Sequence, residues 1–313
     1  MIKLGIVIPC YNEEETLPET SKRLTMLFEK MIVSGSIDKK SFICYVDDGS
    51  NDNTWEQIEK VQRESTYFKG IKLSRNFGHQ NALLAGLMQF KNDADALVSM
   101  DADLQDDITL IKDFVKKYEE GYDVVYGVRE DRSTDSKFKR NTAAFFYKLQ
   151  HFMGIEIIQN HADYRLLSKK SLTALAEFKE INLFLRGIVP MLGFRSCSVY
   201  YTRAERFAGE TKYPFKKMFL FALDGITSFS IIPLRLITVI GFSLFLLSLL
   251  GIVWVIFEKF VLGNAIRGWA STMVSIYFIG GIQVMGLGII GEYVGRSFQQ
   301  GKNRPQYIVD KEI

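Results

Sequence analysis

ALVSMDADLQD, residues 96–106, is the stretch on which the reading of this chain turns. A short apolar run, Ala96 to Met100, has the length of a buried strand and stops abruptly at Asp101-Ala102-Asp103. The same punctuation recurs along the chain. Leu4 to Pro9 is β-branched and apolar and is followed by Tyr11-Asn12-Glu13. Phe42 to Val46 gives way to Asp47-Asp48, Gly70 to Leu73 to Arg75, and Val124 to Gly127 to Arg129. Between these runs the periodicity changes. Leu17, Leu24, Leu27, Phe28 and Met31 recur at helical spacing, and helices are expected over Thr54 to Arg63, His79 to Phe90 and Ile108 to Tyr118. Strands alternating with helices predict an α/β fold, a mostly parallel sheet covered on both faces. Such sheets bind ligands beyond the carboxyl ends of their strands, where every one of these polar clusters falls.

Composition narrows the function classes. The chain has 313 residues, 47% apolar and 24% charged, and a net charge of +3 that gives no general case for nucleic-acid binding. Cys10, Cys44 and Cys197 are odd in number and far apart, which reads as reduced thiols facing the cytosol. The N-terminus turns acidic within fifteen positions and lacks the apolar run of a signal peptide, so the soluble part is expected to stay in the cytoplasm.

The remainder of the chain is different in kind. Leu236 to Phe257 and Gly268 to Gly291 are uncharged throughout, and each exceeds the ~20 apolar residues that span a bilayer core. Lys212, Lys216, Lys217 and Arg235 precede the first run, and Arg296, Lys302 and Arg304 follow the second. The positive-inside rule places both flanks in the cytoplasm, so a multi-pass plasma-membrane protein with cytoplasmic termini is expected. Phe215, Met218, Phe219, Ala222, Ile226 and Phe229 share one helical face, which suggests an interfacial helix lying on the bilayer. The expected domains are therefore 1–212 catalytic, 213–233 interfacial, 234–291 a two-helix transmembrane hairpin and 292–313 a tail. The glycines Gly280, Gly281, Gly286, Gly288, Gly291 and Gly295 permit close helix packing and leave a homo-oligomer open.

Asp101-x-Asp103 after a strand suits a shared hard cation. Mg²⁺ is typically bound by one or two carboxylates plus substrate phosphates, and it neutralises charge on a departing diphosphate. Bare Asp-x-Asp is also common in surface turns. Asp47 and Asp48 fit a turn before a helix as well as hydrogen bonds to a ribose or base. Arg75, Arg129, Arg203 and Arg206 carry the fork that meets phosphate oxygens in pairs. His79, His151 and His161 have no metal spacing and read as polar packing residues.

Together these stretches resemble the GT-A glycosyltransferases of family 2, in particular their polyprenyl-phosphate branch, which includes dolichol-phosphate mannose synthase and the bactoprenol glucosyltransferases. The resemblance is carried by IVIPCYNEEETL, VDDGSNDNT, LSRNFGHQNALLAG, MDADLQDD, VVYGVR, HADYRLLSKK and RAERFAGETKY, from residue 6 to 213. It implies that Pro9, Tyr11, Asn12, Glu13 and Asp48 hold the nucleoside. Asp101, Asp103 and Gln105 would hold Mg²⁺ or Mn²⁺ with the diphosphate, and Asp163 would lie near the sugar and acceptor. Arg129, Arg203 and Lys212 would receive phosphates. Thr211 stands where the family has Ser, and Asp106-Asp107-Ile108 where Asp-Pro-Pro is common. The implied partners are a nucleotide-sugar, UDP-glucose before UDP-N-acetylglucosamine or GDP-mannose, and a polyprenyl phosphate in the membrane. Two rival readings stay open: a processive synthase, which would need more spans and a Gln-x-x-Arg-Trp motif, and a non-catalytic membrane scaffold that binds sugar nucleotide.

Overall fold

The computed structural model describes residues 1–129, 161–180, 184–202 and 268–313, with residues 234, 237–244, 246, 250 and 257 between them. Strands β1 (Leu4–Cys10), β2 (Phe42–Asp47) and β4 (Ala96–Ser99) are buried along their whole length, which is why their sequences are near-continuous apolar runs without alternation. β3 (Phe68–Leu73) lies beside them. Four helices connect this half: α1 (Leu17–Val33), α2 (Thr54–Glu64), α3 (His79–Phe90) and α4 (Ile111–Glu119), the last entered through a 3₁₀ turn at Ile108–Leu110. The expected stripe on α1 is the buried one: Leu17, Leu24, Leu27, Phe28 and Met31 all face the core. On α3, Gly86 lets the helix lie directly on the sheet. A Cβ there would sit 2.4 Å from Val7 Cγ1 and 2.8 Å from Val46 Cγ2.

Downstream come β5 (Val124–Arg129), β6 (His161–Ser168), α5 (Lys169–Leu175), α6 (Leu185–Met191) and β7 (Ser196–Tyr201). The helix α7 (Trp269–Gly301) and a final strand, β8 (Val309–Glu312), complete the described chain. The eight strands form one sheet in the order β7-β5-β6-β4-β1-β2-β3-β8. β1 pairs in parallel with β2 and β4, β2 with β3, and β5 with β7. β6 runs antiparallel between β4 and β5, and β8 antiparallel on the outer edge of β3. The sheet is thus mostly parallel, as expected, with two reversed strands that the apolar runs did not announce.

β6 matters for function because its reversal brings its first residues, not its last, to the ligand edge. His161 pairs with Val128 of β5 and Arg165 with Ser99 of β4, so Asp163 enters the row of polar clusters from the opposite direction. Ser99 Oγ donates to the Asp163 carbonyl at 2.5 Å and fixes that register where β4 ends.

The described chain divides into two compact units. One comprises Met1–Met218 and Arg304–Ile313, the other Phe219–Asn303. The last residues belong to the sheet: the N–H of Gly70 donates to the Ile313 carbonyl at 2.8 Å, the Ile313 N–H donates to the Gly70 carbonyl at 2.9 Å, Gln306 Nε2 donates to the Glu180 carbonyl, and Glu312 accepts from Gln89 Nε2.

In the second unit, α7 spans 33 residues, about 50 Å of helix at ~1.5 Å per residue. It continues past Gly291 through Glu292 and Arg296, an i,i+4 pair at 3.0 Å. Phe278, Ile279, Val284, Leu287, Ile290 and Val294 are all exposed on it. Its segment Phe278–Gly301 is, among the described residues, the one helix long and apolar enough to cross a membrane. The first expected span is described only in part, as helix at residues 237–244 and at scattered positions beyond. The expected interfacial helix at 213–233 lies outside the described residues.

Candidate active site

The first three loops at the ligand edge are stitched together by side chain to backbone bonds. The Asn12 N–H donates to Ser50 Oγ at 2.9 Å and Asn12 Oδ1 accepts from the Asn51 N–H at 2.9 Å, with Asn12 itself in the left-handed region at φ +54°. The Glu13 N–H donates to Thr54 Oγ1, and Glu13 Oε2 accepts from Thr16 Oγ1 at 2.7 Å. Pro9 pairs with Val46 one residue before β1 ends, and Tyr11 just beyond the strand is exposed.

Asp47 and Asp48 are both buried, and they do different things. Asp47 Oδ1 accepts the Ser50 N–H, which makes the turn, while its Oδ2 has no hydrogen-bond partner among the described residues. Asp48 spends both oxygens on the next loop, accepting the Phe77 N–H at 2.7 Å and the Gly78 N–H at 2.9 Å. Burial raises both carboxyls above the ordinary range, against those hydrogen bonds. Gly49 sits at φ +66° with its absent Cβ 2.5 Å from the Arg75 carbonyl carbon, so only glycine allows the two loops to touch. Arg75 is exposed and lies over the Phe77 ring at 4.0 Å.

The residue after Gly78 is His79, at the start of α3. Its Nε2 lies 3.5 Å from Asp101 Oδ1 and 3.7 Å from Asp163 Oδ2, bridging the two acidic clusters. Burial lowers its imidazole pKa, and Asp163 and Asp101 outweigh burial and raise it. Asp101 Oδ1 makes no hydrogen bond among the described residues. Burial pushes the Asp101 carboxyl up to about 6, opposed by His79 and reinforced by Asp163, Asp106 and Asp103. The acidic loop beyond it is held hard. Thr20 Oγ1 donates to the Ala102 carbonyl, the Gln105 N–H donates to Asp103 Oδ1, and Leu104 is forced to φ +55°. A branched-chain residue in that region is strained, and strain persists where the surroundings over-determine it.

Asp106 is buried and receives the Tyr201 hydroxyl on Oδ1, which also accepts from Arg129 Nη2 at 3.3 Å. Arg129 Nε in turn donates to the Tyr201 oxygen at 3.2 Å. Asp107 caps the 3₁₀ turn by accepting from the Thr109 N–H at 2.9 Å.

Asp163 is the most heavily used carboxylate. It accepts from Arg165 Nη2 and Arg186 Nε on Oδ1, and from Arg186 Nη2 and Gln80 Nε2 on Oδ2, both at 3.1 Å. Burial alone would raise it, but Arg186, His79 and Arg165 hold it well below the usual carboxylate range. A carboxylate so satisfied is a poor proton acceptor.

Among the described residues no three His, Cys, Asp or Glu side chains form a self-sufficient metal cage. A strand-end Asp-x-Asp with a buried Asp101 oxygen that makes no hydrogen bond among the described residues, near Asp103, Asp106 and Asp163, instead fits a cation completed by substrate phosphates. The structure brings Asp101, Asp163, Asp48 and Arg129 to one edge. Arg203, Arg206 and Lys212 lie outside the described residues. His79 read from the sequence as a polar packing residue, whereas it sits between Asp101 and Asp163; Gln80, Arg165, Arg186 and Tyr201 were not singled out. His79 and Gln80 at least sat inside a matching stretch, RNFGHQ, whereas nothing around Arg186 or Tyr201 marked them.

Residues 5–175 match the glycosyl transferase family 2 model, and residues 232–297 the GtrB C-terminal hairpin. The uncharacterized glycosyltransferase YkoT of Bacillus subtilis (strain 168) is 52% identical over 99% of this chain and 92% of its own. The prophage bactoprenol glucosyl transferase homolog of Escherichia coli (strain K12) is 39% identical over 99% of both chains. The SfII prophage-derived bactoprenol glucosyl transferase of Shigella flexneri is 39% identical over 99% of this chain and 98% of its own. Among solved structures, glucosyl-3-phosphoglycerate synthase of Mycobacterium tuberculosis, in complex with Mn²⁺, UDP and phosphoglyceric acid, matches at 16% identity over 72% of this chain and 76% of that one, with a TM-score of 0.45. That likeness adds nothing to the family assignment. The matched family model makes this α/β chain a sugar-transferring enzyme. The chain belongs to glycosyl transferase family 2 and carries the GtrB C-terminal hairpin.

Proposed function

We propose that the protein transfers a single hexose, glucose first among the candidates, from a nucleotide-sugar such as UDP-glucose to a polyprenyl phosphate such as undecaprenyl phosphate. Transfer would occur at the cytoplasmic face of the plasma membrane. The observation that carries this reading is the joining of an acidic strand-end loop to an exposed apolar helix within one chain whose full-length relatives include bactoprenol glucosyl transferases. A sugar-nucleotide site explains the first feature and a lipid acceptor the second.

The loops after β1 and β2, with Asn12, Glu13 and Asp47 in a fixed frame, would hold the nucleoside. Asp101, Asp103 and Gln105 would hold Mg²⁺ or Mn²⁺, which supplies neutralisation of the diphosphate when bound. Arg129, already aligned by Asp106 and Tyr201, would meet phosphate oxygens. An acceptor phosphate is ionised near neutral pH, so its oxygen can attack the anomeric carbon without a strong general base. The low proton affinity of Asp163 agrees with that route. Attack opposite the departing nucleoside diphosphate inverts the anomeric centre. Rate then comes mainly from positioning and charge stabilisation.

Detergent-purified protein incubated with radiolabelled UDP-glucose, undecaprenyl phosphate and Mg²⁺ should move label into the organic phase. A parallel screen with UDP-N-acetylglucosamine and GDP-mannose identifies the sugar. No lipid-linked label with any donor would favour the non-catalytic scaffold.

A further inference from the structure

One carboxylate, Asp163, serves two guanidiniums. Arg165 is its buried counter-ion: the side chain is 1% exposed, and its other terminal nitrogen donates to the Leu185 carbonyl at 3.2 Å. That pairing already balances the charge. Arg186 approaches the same carboxylate from the open side with 39% of its side chain exposed, contributing Nε at 3.3 Å and Nη2 at 3.1 Å. A surface arginine pinned by two bonds to a buried carboxylate is unusual, because most lose more side-chain entropy than such a pair returns.

The backbone beside it is fixed from both sides. The Leu185 N–H donates to Gln80 Oε1 at 3.2 Å, and the Leu185 carbonyl is the one held by Arg165. Gln80 completes the circuit by donating its own Nε2 to Asp163. α3, β6 and the start of α6 are thereby clamped to a single carboxylate. The product of that clamp is one excess positive charge, held in a fixed orientation. The carboxylate that holds it lies 3.7 Å from His79 Nε2, itself 3.5 Å from Asp101, at the edge where diphosphate chemistry is expected.

We propose that Arg186 is a phosphate-binding residue of the active site, presented by Asp163, Gln80 and Arg165 to a phosphoryl oxygen of either the nucleoside diphosphate or the acceptor. This rests on the sugar-transfer reading above. Asp163 is then a positioning residue whose role is to orient Arg186. The fork keeps Nη1 for the substrate while Nε and Nη2 face Asp163, the geometry that makes arginine and lysine non-equivalent at such a site.

The test is Arg186→Gln and Arg186→Lys in full-length detergent-purified protein, with three readouts: the Kd for UDP by calorimetry with Mg²⁺ present, the KM for undecaprenyl phosphate, and the melting temperature. Contact with the donor predicts that Arg186→Gln weakens UDP binding tenfold or more and leaves the acceptor KM near wild type. Contact with the acceptor predicts the reverse split. Arg186→Lys should fold like wild type and recover only part of the loss. Lower melting with UDP affinity, acceptor KM and kcat all unchanged in both variants would make Arg186 a structural ion pair and overturn the proposal. Wild-type protein that binds UDP but labels no lipid would defeat the acceptor assignment instead, and the calorimetric arm would still decide the role of Arg186.

Discussion

Tyr201→Phe should cost stability through one hydroxyl. Tyr201 is 4% exposed at the end of β7, its ring set edge-on to Tyr164 at 5.8 Å, and its hydroxyl donates to Asp106 while accepting from Arg129. Phenylalanine keeps the ring packing and deletes only the oxygen. Asp106 is then left with Arg129 alone at 3.3 Å, and Arg129 Nε loses its acceptor. A hydrogen bond to a charged, buried group contributes about 1.5–3 kcal/mol. For a domain of this size each kcal/mol moves the melting point by about 2–4 °C, so the expected fall is roughly 3–12 °C. The adjacent Tyr200 is 59% exposed and serves as an internal control, because Tyr200→Phe should fall within about 0.5 kcal/mol of wild type. Differential scanning fluorimetry of both variants in the same detergent reads the difference. Equal melting curves would refute the claim that this hydroxyl holds the acidic loop to Arg129. Since the loop carries the proposed metal ligands, Tyr201→Phe should also lower kcat several-fold, and Tyr200→Phe should not.

Asp103→Ala should abolish transfer while the protein still folds, with a small fall in melting from the lost Gln105 N–H bond; wild-type turnover in the presence of Mg²⁺ would remove Asp103 from the metal site. Asp48→Asn leaves one acceptor oxygen where two backbone N–H groups need it, so stability should drop by about 1–3 kcal/mol and UDP binding should weaken; chemical denaturation checks the first effect and calorimetry the second. Gly86→Ala sets two effects against each other. Helix propensity favours alanine by about 1 kcal/mol, but a methyl 2.4 Å from Val7 forces α3 off the sheet at a cost of about 1–3 kcal/mol, so melting should fall, and a rise would show that the helix yields freely.

The half of the sheet built from β1 to β4 was legible in the sequence because buried parallel strands are continuous apolar runs, each ended by polar loop residues. β6 was not. Its centre carries Asp163 and Arg165, a pair that looks solvent-facing in a linear reading and is buried only because the two side chains neutralise each other. β8, Val-Asp-Lys-Glu, is an edge strand exposed along its length and has no apolar pattern to detect. The same limit applied to the site. Asp101 and Asp103 announce themselves by spacing. His79 joins them only through the fold, since a helix starting after β3 must be laid beside β4 before its first residue can reach Asp101. Arg186 depends on three elements meeting at Asp163, and no local pattern encodes such a meeting.

The strand β8 sets a condition on any membrane topology. It follows α7 in the chain, yet it is hydrogen-bonded into the same sheet as β1, β2 and β3. A polypeptide that leaves a folded body and later returns to it must begin and end its excursion on one side of any bilayer. Crossings between Met218 and Arg304 therefore come in even number, whatever the distribution of lysines and arginines. If α7 traverses the membrane, parity demands a second passage before it.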